Sequence, residues 1–112
     1  MFTTAQSLRD FRKKTQLTQE QLAHLLGTSW VTVSRWERER AEPQTAAAER
    51  LGRLQELVER IGRALPVSEL EVFLETPHPR LRNHKPMDLL DNDYAFEDLI
   101  ALVESAKSGD MM

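Results

Sequence analysis

The sequence predicts an all-α protein: a small N-terminal helical bundle, a long connecting helix and a small helical C-terminal module. Three observations predict it. Apolar residues recur three and four positions apart, as on one face of a helix. Residues that start helices (Thr18, Ser29, Thr45, Ser68, Asp93) stand just before those stretches, and residues that stop them (Gly27, Pro66, Gly109) follow. No stretch alternates as a half-buried strand does, and no repeat or low-complexity run interrupts the pattern. The 112 residues have room for one domain, or a small domain with an appendage. They include no cysteine, which excludes disulfides and thiolate sites and fits a reducing compartment. No apolar run nears the roughly 18 residues of a membrane span. The start, MFTTAQSLRDF, lacks the apolar stretch of a secretory signal. A cytoplasmic location follows as the expectation.

The first helix is predicted over Ala5 to Thr15, with Ala5, Leu8 and Phe11 inward and Arg9, Lys13 and Lys14 outward. Leu17 precedes the next cap and is placed to pack as a staple. Thr18 and Gln21 then form a capping box for a short helix carrying Leu22, Ala23, Leu25 and Leu26. Gly27 supplies the positive φ of a sharp exit. Ser29 caps a second helix with Val33 and Trp36 on one face and Thr32 and Arg35 on another. Two short helices joined by a glycine turn, the second with polar residues outward, make the helix-turn-helix pattern. A helix of that kind fits the major groove of DNA.

LRDFRKK, LTQEQLAHLLG and SWVTVSRWERERAEP together resemble the helix-turn-helix domain of the Cro and phage-repressor (Xre) type. The resemblance covers residues 5 to about 55 and implies that this part binds double-stranded operator DNA. It implies roles by position. Gln19, at the start of the first helix of the motif, holds a phosphate. Ser29, Trp30, Val31 and Thr32 form the cap and first turn of the recognition helix, which points into the groove. Val31 or Thr32 touches a thymine methyl. Trp30 departs from the usual polar residue there and has two readings, stacking on sugars or packing against protein. Arg35, one turn on, forks onto guanine O6 and N7. Ser34, Arg38 and Arg40 are phosphate candidates. In the family, the arginine at the place of Arg12 pairs with the glutamate at the place of Glu37; the other reading of Arg12 is a phosphate contact. Trp36 reads as core, and His24 as solvated.

Glu42-Pro43-Gln44 breaks the chain, and Thr45 caps a long helix running to about Leu65, where Pro66 ends it. Ala47, Leu51, Leu54, Val58, Ile61 and Leu65 fall at heptad spacing. This seam has three readings: pairing with a second copy, docking the C-terminal segment, or internal packing. Helix-turn-helix domains act as dimers on palindromes, so a homodimer is expected. Charge marks the same division. Residues 1–65 hold 11 Lys and Arg against 8 Asp and Glu, net +3, whereas residues 66–112 hold 4 against 10, net −6. The positive half suits phosphate and the acidic half suits another partner, or serves solubility. The expected domains are therefore 1–65, helix-turn-helix with the long helix, and 66–112.

In residues 66–112, Ser68 and Glu71 form a capping box for a short helix with Leu70, Phe73 and Leu74. Thr76-Pro77-His78-Pro79 is a stiff loop. Pro86 opens another short helix with Met87, Leu89 and Leu90. Asp93 caps a final helix with Phe96, Leu99, Ile100 and Val103 on one face, and Gly109 stops it. Phe73-Leu74, Pro79, Leu81, Pro86, Leu89-Leu90 and Gly109 resemble the toxin-binding C-terminal domain of antitoxins in the MbcA/ParS/Xre family. The family's Gly-Gly pair is replaced by Arg82-Asn83. The resemblance implies a RES-domain toxin that consumes NAD+ as partner, its active-site cleft plugged by the antitoxin's C-terminal segment. It implies that Phe96, Leu99, Ile100, Val103, Lys107 and Asp110 contact that toxin; the other reading of these residues is a helical cap and a frayed tail.

Catalytic chemistry finds no foothold. There is no phosphate-binding glycine loop, no nucleophile elbow and no cysteine. His78, His84 and Asp88 match no zinc spacing. No catalytic residue, metal or cofactor is assigned. The sequence reads as an autorepressing antitoxin of a type II toxin–antitoxin pair; the alternative is a free-standing dimeric transcriptional regulator.

Overall fold

The computed structural model describes residues 5–39, 43 and 45–108. The protein is all-α, and its described residues form six α-helices: α1 (Ala5–Thr15), α2 (Gln19–Leu26), α3 (Trp30–Glu39), α4 (Thr45–Ile61), α5 (Leu70–Glu75) and α6 (Asp93–Lys107). Three short 3₁₀ turns, Val67–Glu69, Pro79–Leu81 and Pro86–Leu90, fill the connections of the C-terminal half. Among the described residues none forms a strand, and no helix is long and apolar enough to cross a membrane. The chain packs as two compact units, residues 1–52 and 53–112, with the division inside α4.

In the first unit α1 buries Leu8 and Phe11, α2 buries Leu22, Ala23, Leu25 and Leu26, and α3 buries Val33 and Trp36. Both early helices end alike. Gly27 takes φ +72°, its N–H and that of Thr28 donating to the carbonyls of His24 and Ala23. At the end of α1, Gln16 takes φ +60°, and the N–H groups of Gln16 and Leu17 donate to Lys13 and Arg12. These are Schellman closures, which satisfy carbonyls left over at a helix end. One more such carbonyl, that of Leu25, accepts from Arg50 Nη2 at 2.7 Å and Nε at 3.1 Å. The capping box at Thr18 forms as the sequence predicts, with Gln21 N–H donating to Thr18 Oγ1 and Thr18 N–H to Gln21 Oε1.

The long helix departs from the sequence expectation twice. It stops at Ile61, not near Leu65, because Gly62 turns left-handed at φ +55°. Its buried positions are Leu51, Leu54, Leu57 and Ile61, with Val58 only half-buried. That spacing is the 3.6-residue stripe of a helix packed on its own chain, so the heptad residues Leu51, Leu54 and Ile61 are spent on internal packing.

The second unit is built on Leu54, Leu57 and Ile61 of α4, Leu70 and Leu74 of α5, and Phe96, Leu99, Leu102 and Val103 of α6, with Leu81, Pro86, Met87 and Leu90 from the turns. Two caps differ from expectation. Ser68 lies inside a 3₁₀ turn, and the residue preceding α5, Glu69, makes no side-chain capping bond. Asn92, not Asp93, caps α6: its Oδ1 accepts from Ala95 N–H at 2.9 Å. Asp93 is drawn instead to Arg53 at 3.1 Å, while Arg53 Nη1 donates to the Leu90 carbonyl at 2.9 Å. The expected stop at Gly109 lies outside the described residues.

Candidate functional site

The geometry of the candidate nucleic-acid face of the first unit starts from a buried carboxylate. Glu37, on α3, is 5% exposed. Arg12 of α1 grips it with two bonds, Nε to Oε2 at 2.8 Å and Nη2 to Oε1 at 3.1 Å. Gln19 Nε2 donates to the same Oε1 at 3.1 Å, and Arg9 Nη2 to the Glu37 carbonyl at 3.0 Å. Burial pushes this carboxyl up, but the hydrogen bonds from Arg12 and Gln19 and the charges of Arg12 and Arg9 outweigh it, leaving the pKa below the ordinary value. Thus α1, the start of α2 and the end of α3 share one polar junction, which sets the angle of α3. The pair of Arg12 and Glu37 is the one the family resemblance implies.

With its inner face on Val33, Trp36 and Glu37, α3 turns Trp30, Val31, Arg35 and Arg38 outward. Ser29 Oγ accepts from the Thr32 N–H at 3.2 Å and lies 3.0 Å from Thr32 Oγ1. Trp30 is 51% exposed and Val31 54% exposed, so both stand at the surface of the unit. Ser34 and Thr32 are half-buried beside them. Gln19 stands half-buried at the start of α2, its amide NH₂ donating to Glu37. Trp30, Arg12, Thr18, Gln19 and Glu20 line a shallow depression of about 430 Å³ next to this face. Arg40 lies outside the described residues.

The residues of the second unit expected to contact a protein partner divide sharply. Phe96, Leu99 and Val103 are buried in its core, Ile100 is half-buried, and Asp110 lies outside the described residues. Lys107 Nζ donates to the Arg60 carbonyl at 2.7 Å, covering an end carbonyl of α4. Phe96, Leu99 and Val103 thus pack α6 on its own unit and are not surface groups. An apolar cleft of about 330 Å³ opens in the same unit, lined by Ala64, Leu65, Phe73, His78, Leu102 and Ala106 among others.

The loop before α6 takes its shape from the chain itself. Arg82 and Asn83 both adopt left-handed backbone, φ +58° and +63°, where the resembled family carries two glycines. His78 and His84 pair across this turn, with His78 N–H donating to the His84 carbonyl at 3.1 Å. His78 Nδ1 accepts from Arg80 N–H. Among the described residues no group of His, Asp and Glu is arranged to hold a metal ion.

Sequence reasoning missed Arg9, Arg50 and Arg53. Each donates to a backbone carbonyl 25 or more residues away, at Glu37, Leu25 and Leu90 respectively. Such a contact leaves no local signature. The general need of helix ends for donors is the only signal that points to it.

Comparison with known proteins agrees with this geometry. Residues 8–54 match the family described as helix-turn-helix. The mycobacterial cidal antitoxin MbcA of Mycobacterium tuberculosis and that of Mycobacterium bovis are each 27% identical to this chain over 93 residues, 83% of this chain and 81% of theirs. A chain in the crystal structure of the M. tuberculosis MbcT–MbcA toxin–antitoxin complex superposes with a TM-score of 0.78 at 24% identity, covering 96% of both chains, which shows a shared fold. Residues 8–54 are therefore similar to the helix-turn-helix family, and the chain over most of its length is similar to the mycobacterial MbcA antitoxins.

Proposed function

We propose that this protein is the antitoxin of a type II toxin–antitoxin pair, a non-enzymatic regulator of the cytoplasm. Its helix-turn-helix unit binds operator DNA and represses its own operon. Its C-terminal module, residues 66–112, neutralises a RES-domain toxin that consumes NAD+. The observation that carries this reading is the extent of the likeness to MbcA, which runs through both halves of the chain and not the DNA-binding half alone.

Arg35 would read a guanine, with Gln19, Ser34, Arg38 and Arg40 on phosphates. Toxin contact would run through α6 and the residues after it, including Ile100, Lys107 and Asp110. A homodimer on a palindromic operator follows from the short span one recognition helix reads. Its contact would use surfaces other than Leu51, Leu54 and Ile61, which each chain buries for itself.

Co-expression with the product of the neighbouring gene tests this reading. A stoichiometric complex, with NAD+ preserved in cells that lose it when the toxin is made alone, is the expected result. Operator binding with no complex and no protection would leave a free-standing regulator in its place.

A further inference from the structure

We infer that the turn over residues 78–85 is a second, sequence-independent contact to the phosphate backbone of DNA, made by Arg80, Arg82 and Lys85. The inference rests on the reading of residues 8–54 as a DNA-binding domain and adds to it a surface in the other half of the chain.

Residues 66–112 hold 10 Asp and Glu against 4 Lys and Arg, yet Arg80, Arg82 and Lys85, three of those cations, stand almost side by side. The stretch 76–87 carries no carboxylate. A half that is acidic overall thus concentrates its positive charge in one place, and that place is held still. Leu81 and Pro86 anchor it in the core of the second unit. Between them the backbone closes on itself. The N–H groups of Arg82, Asn83 and His84 donate to the carbonyls of Pro79, His78 and Leu81 at 3.2, 2.9 and 3.0 Å. The main chain is therefore occupied, and what the turn offers outward is side chain. Arg80 and Arg82 are exposed and Lys85 is half-buried, and none of the three forms an ion pair among the described residues. Arg53 and Arg60 of the same unit, by contrast, each hold a carboxylate. Arg82 also sits at left-handed φ +58°, which suits glycine and is strained for a side chain. An exposed, unpaired arginine kept in strained backbone by a closed turn points to a partner outside the chain.

That partner is anionic, and magnitude chooses between DNA and an acidic protein surface. Exposed ion pairs between side chains contribute little, because both groups are hydrated and mobile. A duplex instead carries one phosphate charge about every 1.7 Å of its axis, with condensed counterions that each arriving cation releases. Guanidinium groups also fork onto phosphate oxygens. The helix α4 runs unbroken through the division between the two units, so a duplex held by the first is already tethered to the second.

The test uses the full chain and a labelled mixed-sequence duplex, titrated by fluorescence anisotropy at several salt concentrations. The slope of log affinity against log salt should fall by about 0.9 in Arg82→Gly and by about 2–3 in Arg80→Ala/Arg82→Gly/Lys85→Ala. Base preference should stay as in the parent. Arg82→Gly relieves the strained backbone, so its weaker binding would not come from a damaged fold. Arg63→Ala removes an exposed positive charge outside the turn and should leave the slope alone. An unchanged slope in the triple variant overturns the proposal. So does a fall for Arg63→Ala equal to that for Arg82→Gly, which would mean that net charge alone is felt. Loss of a protein partner by the triple variant, with its DNA binding intact, overturns it too and assigns the turn to an acidic protein surface. A parent chain that binds no duplex would instead remove the DNA-binding reading beneath it.

Discussion

At Glu37 a single carboxylate joins three helices, so its charge is worth more than a surface ion pair. Replacing it by Gln leaves Arg12 and Arg9 facing a neutral amide, and should lower stability by about 1–3 kcal/mol at neutral pH in urea unfolding. The sign with pH follows from the depressed pKa. The stabilisation is complete above the unfolded glutamate range, near ~4.3, and is lost as pH falls through the lower folded value. The gap between parent and Glu37→Gln should therefore close in acid. On the outer side of the same helix, Arg35→Ala should weaken specific DNA binding by about 1–3 kcal/mol and relax the preference at one base pair. Unchanged affinity and base preference, read by titration against a panel of single-base variants, would mean that Arg35 does not face a base. The pairing of Arg12 with Glu37 was legible because the family resemblance implies it. The convergence of Arg9 and Gln19 on the same residue was not, since nothing local in α1 or α2 records where α3 ends.

Among the elements, what the sequence makes legible is where helices begin and which face is apolar; what it hides is the choice between neighbouring residues that can do the same job. Asn92 and Asp93 are both good caps, and the packing of Phe96 and Leu99, with Arg53 drawing Asp93 outward, selects Asn92. Asn92→Ala should thus cost about 1 kcal/mol. Asp93→Ala removes only an exposed ion pair and should cost at most a few tenths, roughly 0.2–0.5 kcal/mol. Thermal or urea denaturation that ranks them the other way would reassign the cap. The early stop of α4 has a similar cause, since Gly62 is unfavourable in a helix interior by about 1 kcal/mol and turns left-handed without a Cβ penalty, while Pro66 is a second stop a turn later. Left-handed backbone at Arg82 is the opposite case, a side chain where glycine would be easier. Arg82→Gly should raise stability by about 0.5–1 kcal/mol, the relief of left-handed strain less the extra chain entropy of glycine.

For the molecule as a whole, charge divides its tasks. The net +3 of residues 1–65 against −6 of residues 66–112 means that DNA binding should be strongly salt-dependent even though the protein is acidic overall. Affinity should fall steeply between about 50 and about 200 mM salt, and Arg38→Ala should reduce the slope by about one phosphate contact while weakening all sequences alike. An unchanged slope would place Arg38 away from the backbone. The all-α class and most of the core were legible from periodicity alone. What the apolar face of α6 packs against was not: Phe96, Leu99 and Val103 make that face, and periodicity does not say whether such a face meets its own chain or another. The placement of the aromatic residues carries one more consequence. Both tryptophans lie in residues 1–52, Trp36 3% exposed, while the lone tyrosine, Tyr94, lies in residues 53–112 and is 88% exposed. Tryptophan emission is therefore a private signal of the first unit, and the second is optically almost mute, because its only phenol is already wet. A fluorescence melting curve would describe half of the protein, and its mismatch with a far-ultraviolet dichroism curve would reveal the halves melting separately.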